Sequence, residues 1–166
     1  TLPLPANLVA LDSDAGEALL AGAEAKDDFV PLSMQFVTQV HPAFCGIASL
    51  VMVLNALDVP GPASPMTTGI GVFDQENVFS PKTEAVRARA LIENTGMTLD
   101  QFAGLLVAYG LKAEVHHAGD ADLDTFRKLA VAQIGGRGTY VVVNYLRSAL
   151  GQKTYGHISP LGAYDA

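Results

Sequence analysis

The sequence predicts an α+β fold in which helices come first and strands later. Apolar residues recur at helical spacing from Ile47 to Leu57, and a T-x-x-Q capping pattern at residues 98–101 begins another helix. Two β-rich apolar runs, 139–146 and 156–164, close the chain and are separated by turn residues. With 166 residues, 49% of them hydrophobic, the chain can bury one substantial core. We therefore expect a single domain over residues 1–166.

The remaining elements follow from local signals. The proline-rich run 60–65 ends the second helix and starts a loop that continues through Gly71, and Gly96 and Gly110 end later helices. The expected helices cover residues 15–26, 45–57, 83–94, 98–109 and 122–134, and the expected strands cover 111–118, 139–146 and 156–164.

Cys45 is the only cysteine, so it cannot form an internal disulfide. It stands at the start of an apolar helix, where unpaired backbone amides and the positive end of the helix dipole favour the reactive thiolate. Pro42 keeps the approach extended, and Gly46 leaves room beside the sulfur. We interpret Cys45 as a nucleophile; the alternative is a small buried cysteine packed as an apolar residue.

A nucleophilic thiol needs an oxyanion donor and a base. Gln39, six positions earlier, can supply a side-chain amide, although it could equally be an ordinary loop residue. Four histidines could act as the base: His41, His116, His117 and His157. We choose His157, because it follows Gly156 on the last strand, where a second backbone can approach closely; its alternative is a partly exposed strand histidine.

These segments resemble one known family. Residues 39–57 read Q-V-H-P-A-F-C-G-I-A-S-L-V-M-V-L-N-A-L, residues 143–147 read V-N-Y-L-R, and residues 156–161 read G-H-I-S-P-L. All three are similar to phytochelatin synthases, which belong to the papain-like cysteine peptidase superfamily. Residues 28–39 and 96–109 look particularly like the short, single-domain cyanobacterial and bacterial members.

The resemblance implies a papain-like fold, with an N-terminal helical half, an antiparallel sheet half and a cleft between them. Cys45 would attack the Cys-Gly amide of glutathione, release glycine and hold γ-glutamylcysteine as a thioester. Gln39 and the Cys45 N–H would form the oxyanion hole, and His157 would be the base. We expect hydrolysis to γ-glutamylcysteine to dominate and phytochelatin synthesis to be secondary.

Substrate binding and metals follow from the same resemblance. Glutathione is anionic, so Arg147 and Lys153 are candidates for its carboxylates, with solvated charges at a turn as the alternative. Gly46 and Gly156 would adjoin the substrate. In the family, heavy metals such as Cd and Zn act largely through thiolates of glutathione, so the resemblance implies no required cofactor and no catalytic metal.

This sequence departs from the family at the third residue of the catalytic triad, the group that orients the histidine. The family has an aspartate in a D-V-[AS]-R-[FY]-K-Y-P-P run beyond the histidine strand, and this run does not occur here. Asp165, eight positions after His157, does not stand at the family position. We expect the chain to lack its C-terminal strands; otherwise another group must orient His157.

Composition bounds the partners. A formal charge of −7 and a pI near 4.8 argue against a nucleic-acid surface, and no apolar run is long enough to cross a membrane. We therefore expect a soluble protein that binds glutathione and γ-glutamylcysteine; homodimer formation stays open. A single thiol suits the cytoplasm without excluding the periplasm, and no signal peptide is visible after Thr1.

Three other functions stay open. A papain-like bacterial leader-peptide peptidase also uses a glutamine followed by Cys-Gly at a helix start. A metal-sequestering protein would use Cys45 with His41, His116 and His117, although the chain has no spaced Cys/His cluster. A catalytically impaired relative that binds glutathione is the third.

Overall fold

The computed structural model describes residues 4–63, 71–152 and 155–165, and within them the fold is α+β. A two-stranded antiparallel sheet follows seven α-helices, which confirms the predicted class and order. The helices are α1 (Asp14–Gly22), α2 (Phe29–Met34), α3 (Cys45–Ala56), α4 (Pro81–Val86), α5 (Arg89–Thr95), α6 (Leu99–Ala108) and α7 (Leu123–Ile134). The strands are β1 (Val142–Leu146) and β2 (Gly156–Pro160), with a 3-10 helix at Arg147–Leu150 after β1.

The chain divides into two compact units. The described residues up to Val30, together with those from Asp122 onward, form the first unit. Residues 31–121 form the second unit. Gln39, Cys45 and α3 therefore belong to the second unit, whereas the strand that carries His157 belongs to the first.

The second unit is built around α3. The helix is buried on every side from Gly46 to Leu54, so the expected single buried stripe is wrong. The physical reason is composition, because this stretch contains no charged residue and can be surrounded by apolar neighbours. α6 packs against α3 and contributes the buried side chains Phe102 and Leu105.

The helix expected over residues 83–94 is two helices. Ser80 caps α4 and Pro81 occupies its first turn, so α4 begins earlier than expected. It ends at Val86, and the C-cap residue Arg87 has an extended backbone at φ −156° and ψ 117°. The Arg87 guanidinium donates to Gly96 O at 3.1 Å and to Thr95 Oγ1 at 2.5 Å, which are at the far end of α5. These contacts stabilise the break, and periodicity cannot reveal them.

The strand expected over residues 111–118 is absent, because no other segment of the described chain pairs with it. His116 and His117 lie in this segment, and both side chains are exposed. His116 Nε2 lies 3.0 Å from Glu114 Oε1, and His117 Nε2 lies 3.2 Å from Asp100 Oδ1.

The first unit contains the sheet. β1 and β2 pair so that Tyr145 faces His157 and Leu146 faces Gly156, and both strands are shorter than expected. α7 matches its prediction, with Asp122 as its N-cap. One core cluster of this unit contains Ala25, Ala130 and Ile134, with Val131, Val141, Leu161 and Tyr164 packed against them.

Part of the loop through Gly71, and Lys153, lie outside the described residues. The papain-like layout, the missing C-terminal strands and the single catalytic domain stay predictions. No helix in the described ranges combines the length and apolarity that a bilayer crossing requires.

Candidate active site

Cys45 is the first residue of α3, as predicted, and its side chain is partly exposed. The helix ladder starts with the Ala48 N–H, which donates to Phe44 O at 2.8 Å. Amides ahead of that position have no acceptor within the helix. The N-cap residue Phe44 provides no side-chain hydrogen bond to them. The thiol therefore stands beside amide donors of the kind that stabilise a developing negative charge.

Gly46 is buried, and the space beside it is filled. A Cβ at this position would lie 2.8 Å from Met97 Sδ and 3.1 Å from Met97 Cε. The structure thus gives this glycine a packing reason, where the sequence suggested free space for an approaching carbonyl. Its contact with substrate stays a prediction.

The Gln39 side chain is fixed on the turn that leads to Cys45. Its Nε2 donates to His41 O at 2.8 Å and to Pro42 O at 2.9 Å, so both amide hydrogens are used within this turn. The Phe44 N–H also donates to His41 O, at 2.9 Å, and the Ala43 N–H donates to His41 Nδ1 at 3.2 Å. One ring nitrogen of His41 is therefore bound to backbone.

Two amide side chains that the sequence did not single out hold the neighbouring segments. Gln75 is buried and binds the backbone on either side of Gln39. Asn55, in the last turn of α3, binds the backbone of Phe73. Asn55 lies within the run 39–57 that resembles the family, but a motif does not indicate what an amide contacts.

An aromatic cluster with a cation lies directly before Cys45. The Phe44 ring is buried, and its centroid is 5.8 Å from that of Phe79. The Arg89 guanidinium lies over both rings, 5.7 Å from the Phe44 centroid and 5.1 Å from the Phe79 centroid. Its nitrogens bind Glu76 at 2.6 Å and Glu93 at 2.8 Å. The Arg89 charge is thus balanced by two carboxylates while its flat face packs on the rings.

His157 and Arg147, both predicted site residues, are in direct contact. Arg147 Nη2 donates to His157 Nδ1 at 2.6 Å, and Tyr145 packs edge-on against the imidazole with the ring centroids 5.6 Å apart. Burial, and second the positive charge of Arg147, lower the pKa of His157. Because a guanidinium can only donate, the neutral ring carries its proton on Nε2.

Gly156 is exposed, and no steric contact among the described residues requires a glycine at this position. A Cβ there would lie 3.5 Å from Asn144 Oδ1 and 3.8 Å from Tyr145 O, which are ordinary contact distances. The close approach of a second backbone that was expected at Gly156 is not seen among the described residues of the first unit. Its place beside the substrate stays a prediction.

Metal binding was one of the alternatives. Within residues 4–63, 71–152 and 155–165, no three His, Cys, Asp or Glu side chains converge on a position that could hold a metal ion. The metal-sequestering alternative would need such an arrangement. The expected action of Cd and Zn through glutathione thiolates stays a prediction.

Comparison with known proteins identifies the family. A family model described as phytochelatin synthase matches residues 1–166. The chain belongs to the phytochelatin synthase family. The resemblance seen in the sequence motifs is thereby confirmed.

Three relatives found by comparison share the name glutathione gamma-glutamylcysteinyltransferase. A glutathione gamma-glutamylcysteinyltransferase of Schizosaccharomyces pombe is 30% identical over 165 residues, 98% of this chain and 38% of the relative. Glutathione gamma-glutamylcysteinyltransferase 1 of Lotus japonicus is 34% identical over 84% of this chain and 27% of the relative. The Arabidopsis thaliana protein of the same name is 29% identical over 100% of this chain and 33% of the relative. The chain therefore spans between a quarter and two fifths of the length of these proteins.

Proposed function

We propose that this member of the phytochelatin synthase family transfers the γ-glutamylcysteinyl group of glutathione through a thioester on Cys45. The observation that carries the proposal is the position of the only cysteine, partly exposed as the first residue of α3, in a chain matched by the family over residues 1–166. The name shared by its curated relatives supports the same substrate and group transfer.

The first step forms the acyl-enzyme. The Cys45 thiolate attacks the carbonyl carbon of the Cys-Gly amide, and amides at the start of α3 stabilise the resulting oxyanion. The C–N bond then breaks, and His157 delivers the proton taken from the thiol to the leaving amine of glycine. A thioester of γ-glutamylcysteine stays on Cys45.

The second step releases the thioester. Attack by water returns γ-glutamylcysteine and the free thiol, whereas attack by the amine of a second glutathione gives a phytochelatin. We propose hydrolysis as the dominant outcome and peptide synthesis as the secondary one. Heavy-metal ions would act on the glutathione thiols, with no resident metal in the protein.

Two ground-state hydrogen bonds must change for this mechanism. Gln39 uses both amide hydrogens on the His41 and Pro42 carbonyls, so a contribution to the oxyanion hole requires it to exchange one of these bonds for the oxyanion. Arg147 occupies His157 Nδ1, so a proton can be accepted there only after the guanidinium moves. A substrate carboxylate is a stronger partner for arginine than a neutral imidazole, and it would draw Arg147 away.

Mass spectrometry of the intact protein tests the acyl-enzyme. After incubation with glutathione we expect a mass increase of one γ-glutamylcysteinyl group on Cys45, and glycine in the supernatant. Cys45→Ser should show neither. Glycine release by Cys45→Ser at the parental rate would exclude this cysteine as the nucleophile.

Chromatography of the products distinguishes the acceptors and the alternative functions. γ-Glutamylcysteine without phytochelatin marks hydrolysis, and addition of Cd to the assay tests the role of metal thiolates. A double-glycine leader peptide offered separately tests the peptidase alternative. Cleavage of that peptide without turnover of glutathione would replace the proposed substrate.

A further inference from the structure

We propose that Gln75 is a positioning residue for Gln39, and that its buried amide holds the oxyanion segment in register with the helix that carries Cys45. This inference rests on the proposed function, specifically on a role for Gln39 in acyl transfer. Nothing in the family match or in the names of the relatives assigns a role to Gln75.

The first argument is the pairing on both sides of Gln39. Gln75 Oε1 accepts from the Val40 N–H at 3.0 Å, and Gln75 Nε2 donates to Thr38 O at 2.9 Å. The side-chain amide therefore offers residues 38 and 40 the same donor and acceptor that a neighbouring strand would offer. Two hydrogen bonds that flank Gln39 restrict the backbone torsions that aim its side chain.

The second argument is burial. Only 7% of Gln75 is exposed, so its amide cannot exchange these partners for bulk water at little cost. Thr38 and Val40 themselves are exposed residues. The segment that carries Gln39 is thus a surface segment tied down by one buried side chain.

The third argument is the link from Gln75 to α3. Asn55 Nδ2 donates to Phe73 O at 3.0 Å, and Asn55 Oδ1 accepts from the Phe73 N–H at 2.9 Å. The loop that carries Gln75 is thereby fastened to the last turn of the helix that Cys45 begins. Gln39 in turn binds the carbonyls of His41 and Pro42, just ahead of Cys45.

Together these hydrogen bonds connect the last turn of α3 to the loop that carries Gln75, that loop to residues 38–40, and Gln39 to the turn just ahead of Cys45. Displacement of the 38–40 segment away from Gln75 requires its two hydrogen bonds to open. Correct placement matters because a shift of about 1 Å in a catalytic group can lower a rate about 10²-fold.

The test compares Gln75→Met and Gln75→Ala with the parent chain. Gln75→Met keeps most of the side-chain volume without either hydrogen bond, and it guards against loss of fold in Gln75→Ala. We expect amide hydrogen exchange at Val40 to accelerate about tenfold or more, while exchange at Ala48 inside α3 stays unchanged. We expect kcat for glycine release to fall about 10- to 100-fold with KM unchanged.

A double-mutant cycle separates positioning from general damage. Gln39→Ala alone should lower the acylation rate about 10²- to 10³-fold. If Gln75 acts through Gln39, Gln75→Met should lower the rate of glycine release by less than about threefold in the Gln39→Ala background. Asn77→Ala is the matched control, because Asn77 also uses its side-chain amide on backbone, but on Val72 O and the Asp74 N–H of its own loop. It should keep the parental rate.

Two results would overturn the inference: unchanged exchange at Val40 in Gln75→Met, or an undiminished loss of rate when Gln39 is already alanine. Failure of the proposed function looks different. In that case Cys45→Ser or Gln39→Ala releases glycine at the parental rate, while exchange at Val40 still responds to Gln75.

Discussion

Asp28 should make the stability of this protein depend on pH in a direction opposite to that of most carboxylates. The residue is 2% exposed, and its Oδ2 is buried without a hydrogen-bond partner in the described part of the chain. Burial, and second the charge of Asp27, raise the pKa of Asp28 to about 7. We predict that Asp28→Asn stabilises the protein at pH 8 and not at pH 4.

The sign follows from proton binding. Between pH 3.8, the ordinary pKa of the side chain, and about pH 7, the unfolded chain is ionised at Asp28 while the folded chain keeps its proton. The folded state binds more protons in this window, so its stability falls as the pH rises. Above about pH 7 both states are ionised, and the penalty stays constant.

The magnitude follows from the same pKa values. A rise from 3.8 to about 7 corresponds to at most about 4 kcal/mol, at about 1.4 kcal/mol per pKa unit. We therefore expect Asp28→Asn to gain about 2 to 4 kcal/mol at pH 8 relative to pH 4. An amide cannot ionise, so the gain should vanish near pH 4.

Urea denaturation followed by circular dichroism at pH 4, 6 and 8 measures this dependence. Asp27→Asn is the matched comparison: Asp27 is the exposed neighbour and its charge is the second cause of the shift, so this variant should gain much less than Asp28→Asn at pH 8 and nothing at pH 4. An Asp28→Asn gain that is equal at pH 4 and pH 8 would refute the argument from a buried, protonated carboxyl.

Three further outcomes test the candidate site. Arg147→Met should raise the pKa of His157 toward its ordinary value of 6.5 without reaching it, because burial, the larger cause, persists. An NMR titration of the imidazole that finds no rise would exclude the Arg147 charge as a cause of the lowered pKa. Gly46→Ala should destabilise the protein by about 1 kcal/mol, since crowding against Met97 at 2.8 Å outweighs the gain in helix propensity. Met97→Ala should therefore lower the free energy of unfolding less in the Gly46→Ala background than in the parent. Urea denaturation measures both losses, and equal losses would disprove the contact. His157→Ala should abolish glycine release while its circular dichroism spectrum stays unchanged. His116→Ala, which removes an exposed histidine, should keep the parental rate. Turnover that survives in His157→Ala would remove this residue from the mechanism.

The predictable parts of the fold are those with a local cause. The start of α3 at Cys45 follows from apolar spacing, and the start of α6 follows from the reciprocal hydrogen bonds of Thr98 and Gln101, both of which the structure confirms. Gly110 ends that region with φ +82°, a conformation that glycine adopts without strain. In each case the atoms that fix the backbone lie within a few residues of one another.

The errors have a non-local cause. Residues 111–118 have strand-like composition but lack a pairing partner in the described chain, and the helix break at Arg87 depends on acceptors eight and nine residues away. At the site, sequence motifs were enough to select Cys45 and His157 as candidates for the nucleophile and the base. Motifs could not predict the hydrogen bonds around these residues, because a motif does not specify which donor reaches which acceptor.

The sequence by itself determined the family, the α+β class, the nucleophile candidate and the helix that presents it. These properties depend on residue identity and on spacing along one helix. Only the tertiary structure decided that Arg147 binds His157 Nδ1, that Met97 fills the space beside Gly46, and that Gln75 holds the segment around Gln39. Each of these contacts joins residues 10 to 51 positions apart, and such pairs meet only after the backbone between them has folded.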